Sequence, residues 1–187
     1  MKANVLRGVV CAAALGFAGA PAAAHAQSVD VAKMLNGIER GCNYDGDAAQ
    51  RIYAAYDSNA DTNAAGRWVA TVRKPDGGRA LSPALGRGTM TIDNADQVSR
   101  LVVRVQGTTW KGIPVSGLEW IQGLEHGVSM FRVHFAMPLA VAKTQLRAKG
   151  VTLSATEDAE TGMVFEPILS AKDGDALAST ITCDFSM

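Results

Sequence analysis

Apolar and polar positions change period twice along the chain. Val31, Met34, Leu35 and Ile38 recur at three- and four-residue steps. That spacing puts one apolar stripe on a helix from Asp30 to Arg40, with Asp30 as cap and Gly41 as stop. A second helix is expected from Asp47 to Tyr56, with Ile52, Tyr53 and Tyr56 as its apolar contacts. After a small, polar stretch from Asp57 to Ala65 the period becomes two. Strands are expected over Arg67–Lys74, Thr89–Asp93, Ser99–Gln106, Ile113–Ile121 and Val128–Ala136. The last two should form a hairpin around Gly123 and Gly127. Leu139–Lys149 reads as a helix that follows Pro138, turns Ala142, Leu146 and Val141 inward, and ends at Gly150. Val151–Ser154, Met163–Leu169 and Ser179–Phe185 complete the strands, with a turn at Asp173-Gly174-Asp175. Pro75-Asp76-Gly77-Gly78 is a further turn, and Gly77–Gly88 reads as a loop.

Strands in a block without intervening helices argue for an α+β domain. The expected architecture is a mostly antiparallel sheet with the N-terminal helices and the later helix on one face. A parallel nucleotide-binding sheet is disfavoured by the same order of elements.

The first 26 residues do not join this pattern. Lys2 and Arg7 precede an apolar run from Val9 to Ala20, Pro21 interrupts it, and Ala24-His25-Ala26 has the form of a cleavage site. Residues 1–26 therefore read as a removable export signal, with Cys11 inside it. Residues 27–187 read as one domain: a helical segment over 27–60 and a β-rich body over 64–187. Export implies an oxidising compartment, the periplasm or the outside of the cell. The two remaining cysteines, Cys42 and Cys183, are then expected to pair.

The whole chain has 18 basic and 18 acidic residues. Loss of the signal leaves a slight acidic excess, which gives no reason to expect a nucleic-acid partner. No stretch of the mature chain is apolar enough to span a bilayer as a helix. No metal, cofactor or catalytic motif is expected either. Asp57, Asn59, Asp61 and Asn63 are spaced like the opening ligands of a calcium loop, but Thr62 and Trp68 stand where Gly and Glu are needed. A solvated Asn/Asp turn is the favoured reading, a weak calcium site the alternative. His126 and His134, eight residues apart, would stand roughly 26 Å apart on one extended segment. Val115-Ser116-Gly117 lacks the first Gly of a nucleophile elbow. Glu157, Asp158 and Glu160 share one polar stretch, and Gly86-Arg87-Gly88 lacks the rest of a dinucleotide fingerprint.

Strand parity carries more. Leu101, Val103 and Val105 oppose Arg100, Val102 and Arg104; Leu118 and Trp120 oppose Glu119; Phe131, Val133 and Phe135 oppose Met130, Arg132 and His134. One face is apolar and should meet the helices. The other is expected to carry Arg73, Arg104, Glu119, Arg132 and His134 among Val69, Val102 and Met130. Arginine among apolar side chains is the composition of an interaction surface, and equally of a wet sheet face. Trp110, on a Gly-flanked segment, is either a partner anchor or a lid on the core. The leading expectation is an exported module that binds another protein in the cell envelope, as an inhibitor or immunity-type protein. The alternatives are a small-molecule or lipid carrier with a pocket near Leu146, and a hydrolase with dispersed residues and His134 as base.

Overall fold

The computed structural model describes residues 28–57, 68–72, 81–93, 97–124 and 127–187. The expected export signal, most of the Asp57–Asn63 loop, Arg73, the expected Pro75–Gly78 turn and His126 lie outside the described residues.

In chain order the elements are α1 (Val31–Met34), α2 (Gly46–Asp57), β1 (Trp68–Val72), β2 (Leu85–Asp93), β3 (Val98–Val105) and β4 (Thr109–Trp110). They continue with β5 (Ile113–Gly123), β6 (Ser129–Phe135), α3 (Leu139–Ala148), β7 (Thr156–Glu157), β8 (Val164–Phe165), β9 (Ile168–Lys172) and β10 (Asp175–Asp184). The main sheet runs β1-β2-β3-β5-β6-β10-β9, and each of these pairings is antiparallel. β4 turns back on β5, and β7 and β8 form a small separate hairpin. This is the expected α+β arrangement, including the β5–β6 hairpin.

The inner face of the sheet is the core. Leu101, Val103, Leu118, Trp120, Phe131, Val133, Phe135 and Ile181 are buried there against Val31, Met34, Ile52, Tyr56, Ala142 and Leu146 from the helices. Tyr56 also donates its hydroxyl to the Gly86 carbonyl at 2.6 Å, fixing α2 to β2. The Cys42–Cys183 disulfide, with Cα atoms 5.6 Å apart, ties the N-terminal segment to β10.

Several boundaries differ from the sequence pattern, each for a local reason. The first helix ends at Met34, not Arg40. Gly37 has φ +98°, outside the helical region, and a Cβ there would collide with the Asn43 carbonyl oxygen. The apolar stripe is nonetheless buried throughout: Leu35 and Ile38 reach the core from turns. Val151–Ser154 is not a strand; only Ser154 forms a bridge, with Arg40. Met163–Leu169 splits at Pro167, which has no N–H to give a ladder; β8 pairs with β7, and β9 with β10. β2 starts at Leu85, inside the expected loop. On α3, Ala142 and Leu146 face inward but Val141 is exposed.

Candidate binding face of the sheet

The outer face is assembled by register. Val102, Glu119, Arg132 and Thr182 lie in one row across β3, β5, β6 and β10. Arg104, Gly117, His134 and Thr180 form the next. Parity therefore gathers Arg104, Glu119, Arg132 and His134 on one face, as the sequence pattern implies.

That face is not uniformly wet. Glu119 is only 3% exposed and His134 only 6%. The Glu119 carboxylate takes Arg100 Nη1 at 3.1 Å, Arg132 Nη1 at 3.8 Å and His134 Nε2 at 2.9 Å. His134 Nδ1 lies 2.9 Å from Thr180 Oγ1. Burial by itself raises the Glu119 pKa. The His134 hydrogen bond and the charges of His134, Arg100 and Arg132 outweigh it, so the carboxyl is held below its ordinary value. An ionised carboxylate only accepts, so Nε2 carries a hydrogen; the Thr180 hydroxyl donates to Nδ1 of a neutral ring and accepts from Nδ1–H of a protonated one. Arg100 shares this face by parity yet is absent from the binding candidates. Its role follows from the diagonal between Arg100 and Glu119, which register reveals and a single strand does not.

A hydroxyl, an imidazole and a carboxylate in series resemble the order of a hydrolytic triad. Here the Thr180 hydroxyl belongs to a buried residue, and two guanidiniums already neutralise the carboxylate. Both imidazole nitrogens have partners. The arrangement satisfies the buried polar groups of Glu119, His134 and Thr180, as a structural network must, and leaves Arg132 Nε buried without a hydrogen-bond partner.

Arg104 stands apart from it. Its side chain is exposed, makes no hydrogen bond or ion pair among the described residues, and borders a cup of about 530 Å³ together with Lys172, Asp175, His134, Val102, Ala136 and Leu177. Thr89 of β2 and Lys172 of β9 line this same cup from five strand steps apart. On a flat sheet five steps span about 24 Å, so the sheet curls around this face. Three bulges fall at this end, and bulges bend sheets. They lie between Leu85 and Gly88, between Val115 and Gly117, and between Asp175 and Ser179.

No protein-family model matches this chain, and no curated protein or solved structure is significantly similar to it.

Trp110 is not on this face or any surface. It is 1% exposed, stacks on Phe135 with ring centroids 5.8 Å apart, and donates Nε1–H to the Leu35 carbonyl at 3.0 Å. Of its two readings, the lid on the core is the one realised. Lys172, Thr180 and Gly117 were beyond the reach of the sequence pattern, because they become neighbours of the site only through the β9–β10, β6–β10 and β5–β6 registers. Among the described residues no group of three or more His, Cys, Asp or Glu could hold a metal ion. No described helix is long and apolar enough to cross a membrane.

Proposed function

We propose that the chain is an exported, disulfide-stapled module that binds another protein of the cell envelope through the outer-face cup, in an inhibitor or immunity-type role. The observation that carries this is the division of the cations. Arg100, Arg132 and His134 are engaged with Glu119, whereas Arg104 and Lys172 border the cup with no protein partner among the described residues. Val102, Ala136 and Leu177 give it apolar walls, and Leu177 is 75% exposed. Two cations against the single carboxylate of Asp175, around a recess with apolar and polar walls, suit a protruding acidic loop of a folded protein. The carrier reading keeps one observation, an open groove of about 500 Å³ that Leu146 lines, although on the core side Leu146 and Ala142 are buried in the same cluster as Phe131, Phe135 and Ile181.

The test is a crosslinked capture from envelope extract, using the oxidised chain as bait beside an Arg104→Glu, Lys172→Glu double variant. One stoichiometric protein retained by the parent and lost by the variant is expected. Equal capture by both would remove the cup as the binding site.

A further inference from the structure

A second groove lies beside β9, at the opposite end of that strand from the cup. Its volume is about 500 Å³. One wall is the C-terminal half of α3 with Val151–Leu153; the other is Glu166–Leu169. Leu146, Val151, Leu153 and Leu169 make its lining largely apolar.

Both walls bring unpaired backbone to the groove. β9 is the last strand of the sheet, paired only with β10 among the described residues, so its other side has a free row of N–H and C=O groups. Across from it, Thr152 and Leu153 carry a strand-like sequence but pair with nothing: the nearest backbone bonds are at Val151 and Ser154. Edges exposed in this way are normally guarded. Pro167 and Lys172 guard the two ends of β9, while Ile168 within it is 55% exposed.

We infer that this groove accepts an extended segment of a protein partner, which adds to β9 as a further strand. About five residues, or roughly 17 Å, would cover β9. Alternate side chains of that segment enter the groove toward Leu146 and Leu153, which calls for apolar residues at every second position. Its flanks should be acidic. Lys143 and Arg147 stand one turn apart on the α3 wall without ion-pair partners among the described residues, against the single carboxylate of Glu166. This inference goes beyond the cup and does not depend on it, since the residues of the two sites do not overlap.

The probe is a displayed library of random ten-residue peptides, selected on the full-length, oxidised chain. Enriched peptides should alternate apolar and polar residues and carry Asp or Glu at their ends. Methylating alternate backbone amides of an enriched peptide should weaken binding at least about tenfold, because it deletes ladder donors. Ile168→Asp should give a comparable loss, and Arg147→Glu should weaken acid-flanked peptides most. Both side chains are exposed, so the unfolding midpoint should not move. Arg104→Glu should leave peptide binding unchanged. No enrichment, or binding that survives amide methylation and Ile168→Asp, would overturn the inference. So would a concentration-dependent dimer abolished by Ile168→Asp, which would make a second copy of the chain the occupant.

Discussion

His134 Nε2 meets Glu119 Oε2 at 2.9 Å although the two residues are not opposite one another in the ladder. The residue directly across from His134 is Gly117, and the residue across from Glu119 is Arg132. The bond therefore runs along a diagonal, a longer reach than a direct pair. Gly117 makes it possible. With no side chain opposite, the imidazole lies over the Gly117 backbone: a Cβ at that position would sit 3.4 Å from His134 Cδ2 and 3.3 Å from the Val103 carbonyl oxygen.

Enlarging Gly117 should therefore act on the network and not merely on the strand. Gly117→Val places methyl groups where the ring lies, with the Val103 carbonyl unable to retreat. A loss of about 2 kcal/mol is expected from overpacking and the broken hydrogen bond. Urea unfolding measures it. The His134 side-chain resonances should lose their Thr180 and Glu119 contacts in the same variant.

Acid should weaken the fold through Glu119. Its carboxyl is held below the ordinary value of 4.5 in the folded protein. The unfolded chain then binds the proton more readily, so the stabilisation is present above about pH 4.5 and is lost as pH falls through the folded value. Glu119→Gln removes that component and leaves Arg100 and Arg132 facing a neutral amide. At pH 7 it should cost about 2 kcal/mol, and the gap to the parent should narrow toward pH 3. Glu39 and Asp158 are also held low, so the variant keeps some acid sensitivity. A gap constant from pH 7 to pH 3 would contradict the account.

The period-two pattern from Ser99 to Phe135 reached the structure nearly intact, because one buried face sets both strand identity and parity. Cys42 and Cys183 were legible because residues 27–187 hold only two cysteines, which leave one pairing if the chain is exported. What escaped was set by contacts distant in sequence. The helix from Asp30 stops early because Gly37 folds back over Asn43. Val151–Ser154 has a strand's composition but no strand beside it. For the site, parity placed Glu119 and His134 on the outer face. It could not say that Arg100 and Arg132 would neutralise Glu119 there, nor that Arg104 would be left over, since that depends on register across the β3–β5 and β5–β6 pairs.

Trp110 should behave as a core residue. Trp110→Phe keeps the stacking on Phe135 but leaves the Leu35 carbonyl without its donor, a change of about 1 kcal/mol. Trp110→Ala opens a cavity and should cost about 4 kcal/mol. Thermal melts give both values. Partner capture by Trp110→Phe should match that of the parent chain, because the ring is closed off from every surface.

The disulfide should matter more than any single contact. It closes a loop with a sequence separation of 141, so the chain-entropy relation gives roughly 5 kcal/mol as an upper figure. That is as large as the whole stability of a marginal domain. The bond also joins the N-terminal turns to β10, the strand that supplies Thr180 to the network and pairs with β9 at the sheet edge. The Cys42→Ser, Cys183→Ser variant should therefore lose most of its urea midpoint, and reductant should bring the parent down to the same value. In amide exchange, the oxidised parent should protect β10 as strongly as β5 and β6. Exchange in the variant should be faster at β10 first, since β10 is the strand whose tie to the N-terminal segment has been cut. Equal midpoints with and without reductant would mean that the inner-face packing of β3, β5 and β6 holds the domain together without the staple.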